Sequence, residues 1–240
     1  MSWQNLNVIN GINLFEAYKK KYGSSSDYQK DQKTFWSHPE IQTSFRKSLS
    51  WLKLKSGDRV LDIGINNGYD IELLNKGFEK SLLDSLKLIG FDLADDSLKE
   101  ACKKYYSKNN DWKFVRGDIT SFSGVNICDG HNVEIVENST DVVIALASLQ
   151  SSSLIEKFDN FIIDLVKKLS KGSQLFIGLP NFHIDDSKNV VLGLYDAKQK
   201  KVDYSSCSEL SDRLTQSLER LGFRSKKVGE LIVFYYFYLE

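Results

Sequence analysis

The sequence predicts an α/β protein: a mostly parallel sheet of seven strands that ends in an antiparallel C-terminal hairpin and is preceded by a helical N-terminal cap. Three observations predict it. The run Val60-Leu-Asp-Ile-Gly-Ile-Asn-Asn-Gly68 reads as a buried strand that breaks into a glycine turn and opens a helix. From Lys53 onward, strand and helix patterns alternate, as parallel strands joined by right-handed crossovers require. The chain then turns at Gly222-Phe223 and finishes on the aromatic strand Leu231–Leu239, which supplies the hairpin.

Composition bounds the class. A chain of 240 residues, 41% hydrophobic and 27% charged, can bury one good core and resembles neither disordered nor membrane proteins. The start, Met-Ser-Trp-Gln-Asn-Leu, has neither a basic flank nor an apolar stretch, and Leu231–Leu239 is too short to cross a bilayer, so a cytoplasmic protein is expected. Cys102, Cys128 and Cys207 are an odd set without Cys-x-x-Cys spacing, which suggests buried thiols rather than a disulfide framework or a zinc site. Basic and acidic residues are equal at 32 each. The clusters Lys19–Lys21, Lys198–Lys201 and Lys226–Lys227 read as solvated faces, which disfavours nucleic acid as a partner.

Two units are expected: a helical cap over residues 1–50 and a domain over 51–240, with inserts near 120–138 and 184–206. In the cap, Leu14, Phe15, Tyr18, Tyr22, Phe35 and Trp36 have helix-like spacings around the linker Ser24–Ser26. His38-Pro39-Glu40 starts a further helix to about Leu52, since proline suits a first turn and the acid complements its positive end. After the glycine turn, Ile71, Leu73, Leu74 and Phe78 suit one helix, and Ser81–Leu86 continues it after a break at Gly77. Strands two to five are Leu88–Leu93, Trp112 to the exit at Asp118-Ile119, Asp141–Ala147 and Ser173–Leu179. Asp95-Asp96-Ser97, Ile155–Leu169 and Cys207–Leu221 mark helices. Cys128–His131 with Val133–Val136 suggests a small hairpin, and Val190–Tyr195 is expected to pair with Val202–Ser205 in another.

A strand that ends in a glycine turn presents backbone N–H groups at the carboxyl edge of the sheet, where open α/β folds bind ligands. A dinucleotide fingerprint needs Gly-x-Gly-x-x-Gly, and here its second and third glycines are Asn66 and Tyr69. Asp62 would repel a pyrophosphate and suits a cationic ligand. Asp92, at the tip of the second strand, can accept two hydrogen bonds from vicinal ribose hydroxyls.

Val60–Gly68 resembles motif I of the class I S-adenosylmethionine-dependent methyltransferases, whose usual form is Val-Leu-Asp-x-Gly-x-Gly-x-Gly. Asn66 stands at the middle glycine, and asparagine tolerates left-handed backbone angles better than most residues. Gly90-Phe-Asp92 followed by Leu98-x-x-Ala101 resembles the second block of that family. Asp118-Ile119 resembles the segment in which an acid accepts from the adenine amine and the backbone reads the ring edge. The resemblance spans roughly residues 53–240. It implies a Rossmann-like sheet, S-adenosylmethionine as cofactor and S-adenosylhomocysteine as product. The cofactor residues it implies are Asp62, Gly64, Ile65, Asn66, Gly68, Asp92, Leu93, Asp118, Ile119, Ala145 and Leu146. By the same resemblance Tyr28 or Trp36 belongs to a lid over the cofactor, unless both are anchors that pack the cap on the core.

The acceptor is constrained mainly by what is missing. Relatives that methylate exocyclic base amines carry Asn/Asp-Pro-Pro-Tyr/Phe after the fourth strand, and Ala147–Ser151 holds no proline, aromatic or acid. A sulfonium methyl is already activated, so the protein needs to align an acceptor and exclude water. A hydroxyl acceptor gains from a general base, and His183 is the one histidine expected at the carboxyl edge, a role to weigh against a plain loop histidine. Asp185-Asp186 lacks a third ligand, so no metal is expected. The expected function is methyl transfer to a hydroxyl or amine of a small molecule, by a monomer or homodimer that needs no membrane. The alternatives are an RNA or protein methyltransferase with a basic face, or a non-catalytic scaffold that kept the fold.

Overall fold

Alternation along the central strands builds two apolar cores, one on each face of a sheet. The computed structural model describes residues 36–106, 111–149, 158–180, 183–184, 190–191, 194–196, 201–203, 205–229 and 232–239. Its strands are β1 (Arg59–Ile63), β2 (Lys87–Asp92), β3 (Lys113–Arg116), β4 (Ser123–Asn126), β5 (Asn132–Glu134), β6 (Thr140–Leu146), β7 (Leu169–Pro180), β8 (His183–Ile184), β9 (Val190–Val191), β10 (Leu194–Asp196), β11 (Lys201–Asp203), β12 (Arg224–Val228) and β13 (Ile232–Tyr238). The main sheet runs β12-β13-β7-β6-β1-β2-β3-β4-β5. Strands β7, β6, β1, β2 and β3 are parallel, and β13 and β12 close one edge antiparallel, as expected.

Val60, Val142, Ile144, Phe176, Phe234 and Tyr236 point to one core, while Leu61, Ile63, Val143, Ile177, Tyr235 and Phe237 point to the other. The first core is covered by α1 (Pro39–Leu49), α2 (Tyr69–Leu74), α3 (Lys80–Asp84) and α4 (Asp95–Ala101). The second is covered by α5 (Phe158–Lys168) and α6 (Ser205–Arg220), through Phe161, Ile162, Leu165, Leu210, Leu214 and Leu218. Asp62 has the parity of Val60 and therefore sits on the α2 face. In α1, Pro39 opens the first turn and Arg46 and Lys47 close the last. Ile41, Phe45 and Leu49, spaced i, i+4, i+8, bury the helix against the sheet at roughly 2 kcal/mol each.

Four expectations change. Among the described residues the sheet has nine strands rather than seven, because the β4–β5 hairpin adds antiparallel to the edge of β3. Glycine permits the close approach there: a Cβ on Gly117 would lie 2.4 Å from the Ser123 carbonyl oxygen. The segment Cys128–His131 is the hairpin's turn rather than one of its strands. Cys102 and Cys128 are joined by a disulfide across a Cα separation of 5.7 Å, so these two are not free thiols. Finally, Val190–Val191 pairs back to His183–Ile184, and among the described residues it is Leu194–Asp196 that pairs with Lys201–Asp203. Gly193 falls between the two halves of that run in sequence.

At the amino edge of the sheet, Arg59 and Asp141 bridge β1 and β6. The Arg59 Nε and Nη2 groups donate to the two Asp141 oxygens at 2.8 and 2.7 Å, and the Arg59 backbone N–H adds a third bond at 2.9 Å. These bonds hold the Asp141 carboxyl well below the usual carboxylate range. Among the described residues, no helix is long and apolar enough to cross a membrane.

Candidate functional site

The strand order reverses at β1, which has β2 on one side and β6 on the other. The chain after β1 therefore emerges at a topological switch point, where open α/β sheets leave a crevice at their carboxyl ends. The turn is fixed there by backbone bonds: the Gly64 and Ile65 N–H groups both donate to the Phe91 carbonyl, at 2.8 and 3.1 Å. Gly64 has φ +82°, and a Cβ on it would lie 2.3 Å from the Ser148 Cβ, so only glycine fits. Gly68, at φ +80°, lies against the Tyr105 ring, where a Cβ would meet Cε2 at 2.4 Å. Ile65 is fully buried over Gly90, whose missing side chain makes room for it beside Asp62.

Asn66 adopts φ 54°, the left-handed conformation that the family's glycine would take easily. Its N–H donates to Asp92 Oδ2 at 2.9 Å, and its side-chain oxygen accepts from the Asn67 N–H at 2.8 Å. Asp92 Oδ1 accepts from the Ala94 N–H at 2.8 Å. These bonds leave the carboxylate further lone-pair capacity. Burial pushes the Asp92 carboxyl up, and the amide donors of Ala94, Asn66 and Leu93 oppose the shift.

Asp62 is 0% exposed and Asp70, in the first turn of α2, is 2% exposed. The two carboxyls lie within hydrogen-bonding reach of each other. Burial pushes Asp62 up to about 8 and Asp70 well above the ordinary range, with Asp92 adding like charge to both. Both oxygens of Asp62, Oδ2 of Asp70, Oδ1 of Asn67 and Oγ of Ser148 are buried without a hydrogen-bond partner. Five of the seven such atoms among the described residues thus belong to the motif turn, its helix and Ser148. A ligand that brings N–H or O–H donors and positive charge fits this donor-poor, acid-rich edge.

The remaining expected residues are scattered more widely. Leu93 follows β2, and Ala145 and Leu146 end β6, both buried. Asp118 is exposed and caps the 3₁₀ turn Ile119–Ser121, its Oδ1 accepting from the Thr120 N–H and hydroxyl at 2.9 and 2.8 Å. Ile119 is half-buried against the second core. Trp36, 2% exposed, packs on Phe45 and Phe234 with ring centroids 6.0 and 6.2 Å apart, which makes it an anchor of α1 on the sheet. His183 lies in the short strand β8 opposite Val191, and Tyr28 and Asp185-Asp186 fall outside the described residues.

Asp70, Tyr105 and Ser148 were not expected at the site. The sequence does carry a signal for Asp70: it shares the inward face of α2 with Leu73 and Leu74, at i+3 and i+4, where an acid is out of place.

No protein-family model matches the sequence, and no curated protein matches it. Solved structures match in fold. A SAM dependent methyltransferase from Aquifex aeolicus is 16% identical, with 88% of this chain and 98% of that chain covered at a TM-score of 0.54. An S-adenosylmethionine dependent methyltransferase from Mesorhizobium loti is 12% identical, with 84% and 98% covered and a TM-score of 0.52. The 1,6-didemethyltoxoflavin-N1-methyltransferase of Burkholderia thailandensis, solved with 1,6-didemethyltoxoflavin and S-adenosylhomocysteine bound, is 13% identical, with 94% and 87% covered and a TM-score of 0.56. At these identities the likeness shows a shared fold.

Proposed function

We propose that this chain, which has the fold of the class I S-adenosylmethionine-dependent methyltransferases, transfers a methyl group from S-adenosylmethionine to a hydroxyl or amine of a small molecule. The observation that carries the reading is the buried, donor-poor carboxylate edge around Asp62, Asp70 and Asp92 beside a glycine turn at the switch point. A pyrophosphate would be repelled there, whereas a ligand with an ammonium group, a sulfonium and a ribose diol matches the acids present.

When bound, S-adenosylmethionine supplies a methyl group activated by its sulfonium. Asp92 accepts from the ribose hydroxyls with its free lone pairs, and Asp62 balances positive charge at the turn. Gly64, Ile65, Asn66 and Gly68 keep the backbone close to the ligand, and Leu93, Ala145 and Leu146 line the strand ends. Asp118 would accept from the adenine amine, and the Ile119 backbone would read the ring edge. A water-excluding cap contributed by residues 1–50, with Tyr28 as its candidate contact to the cofactor, belongs to the same reading. His183 takes the proton when the acceptor is a hydroxyl, and unchanged turnover in His183→Ala would remove that role.

The balanced charge of the chain and the plain exit Ala147-Ser148-Leu149 support a small acceptor over a nucleic acid. A cytoplasmic setting, as monomer or homodimer, belongs to the same reading. Calorimetric titration tests it: S-adenosylmethionine and S-adenosylhomocysteine are expected to bind and NAD is not. Folded protein that binds neither of the first two contradicts the proposal.

A further inference from the structure

Asp62 and Asp70 lie within hydrogen-bonding reach of each other at 0% and 2% exposure, and among the described residues neither carboxyl has a cation beside it. Two ionised carboxylates offer only acceptors, so the contact between them is a hydrogen bond only if one of the two is protonated. Among the described residues no other donor reaches them: both Asp62 oxygens and Asp70 Oδ2 are otherwise unpartnered. From β2, Asp92 adds negative charge, although its own oxygens are held by the Asn66 and Ala94 amides. On α2, Tyr69 is adjacent and Glu72 is engaged by Lys104. From the segment that follows α4, Tyr105 donates to the Gly68 carbonyl at 3.3 Å, and Lys104 turns to Glu72 and to the Tyr105 ring. On the β6 side, Ser148 closes over Gly64.

We propose that Asp70 is a positioning residue for the cofactor. It and Asp62 hold one proton between them in the ligand-free protein, and they release it to solvent when the ammonium group of the ligand becomes the donor to Asp62. The inference rests on the S-adenosylmethionine reading for the release step, whereas the shared proton is a property of the chain alone. Sharing fixes the Asp62 carboxyl in place before the ligand arrives, which two repelling carboxylates on separate elements would not do.

Two measurements test it. The first uses ligand-free protein labelled with ¹³C at the aspartate carboxyls and followed by NMR from pH 4 to 9. One proton is expected to persist on the Asp62–Asp70 pair at pH 6.5 and to vanish as a shared signal in Asp70→Asn, whose amide donates permanently to Asp62. Two ionised carboxyls at pH 6.5 overturn the proposal. The second is calorimetry with S-adenosylhomocysteine at pH 6.5 in buffers of different ionisation enthalpy, where the wild type is expected to release close to one proton per ligand and Asp70→Asn none. As pH rises from about 5.5 to 6.5, the wild-type Kd is expected to tighten by up to about tenfold and that of Asp70→Asn by less than about twofold. Binding without proton release, or equal release by the variant, overturns the release step. A shared proton in the NMR titration with no ligand binding at all overturns the cofactor reading, and the release step with it, while the pair itself stands. Circular dichroism of Asp70→Asn separates loss of fold from either result.

Discussion

The two ends of β1 treat an aspartate in opposite ways. At the amino end, Asp141 receives three bonds from Arg59, and its carboxyl is held well below the usual range. At the carboxyl end, Asp62 is more deeply buried, faces a second acid, and is pushed up by burial to about 8. The first arrangement is complete within the chain and ties β1 to β6. The second is incomplete within the chain and becomes favourable only with donors and positive charge brought from outside. A buried acid that its own fold leaves unsatisfied is therefore the better pointer to a ligand than an acid in a good ion pair.

The largest expected contrast is between two glycines with nearly the same backbone. Gly64 and Gly172 have φ +82° and +79°, yet a Cβ on the first meets Ser148 at 2.3 Å and on the second meets nothing within 4 Å. Gly64→Ala is expected to cost about 3 kcal/mol, from left-handed strain plus overpacking, and Gly172→Ala about 1 kcal/mol from strain alone. Urea unfolding midpoints compare them, and equal costs would remove the steric role of Ser148.

The same chemical change at the two ends should have opposite signs. Asp70→Asn removes a buried like-charge contact and is expected to raise the stability of the ligand-free protein at pH 8 by about 1–2 kcal/mol. Asp141→Asn weakens the Arg59 pair and is expected to lower it by about 1 kcal/mol, as a half-exposed bidentate pair allows.

The pH profiles sharpen this contrast. The folded values of Asp62 and Asp70 lie above the ordinary 3.8, so the folded chain holds more protons than the unfolded one, and stability falls as pH rises from about 4 toward 8. Asp70→Asn should flatten that fall. For Asp141 the folded value lies below the ordinary one, so its contribution is present above about 4 and is lost as pH falls further. Thermal melts across pH 3.5–8.5 read both slopes. The smallest effect is at Asn66, already left-handed at φ 54°, where Asn66→Gly should stay within about 1 kcal/mol by the same melts.

The parallel strands and the motif turn were legible because near-continuous apolar runs and the glycines at 64 and 68 answer to local rules. Asn66 was legible for the same reason, since its side chain type already matched the backbone it adopts. What was not legible depends on partners distant in sequence. The attachment of β4 and β5 to β3 turns on close approach at Gly117 and Gly124, and the bond between Cys102 and Cys128 turns on where α4 ends relative to a hairpin turn. Asp70 lies in a first helical turn, where an acid also complements the helix dipole, so its place on the inward face of α2 is a weak signal until its packing beside Asp62 is seen.

The most direct test of the account is the dissociation constant of S-adenosylhomocysteine for the wild type, Asp92→Ala and Asp141→Asn, measured side by side by calorimetry. The account predicts at least about a 100-fold loss for Asp92→Ala, from two charge-assisted bonds, and less than about a twofold change for Asp141→Asn in spite of its lower stability. Equal affinities for all three would contradict the assignment of the carboxyl edge as the ligand site.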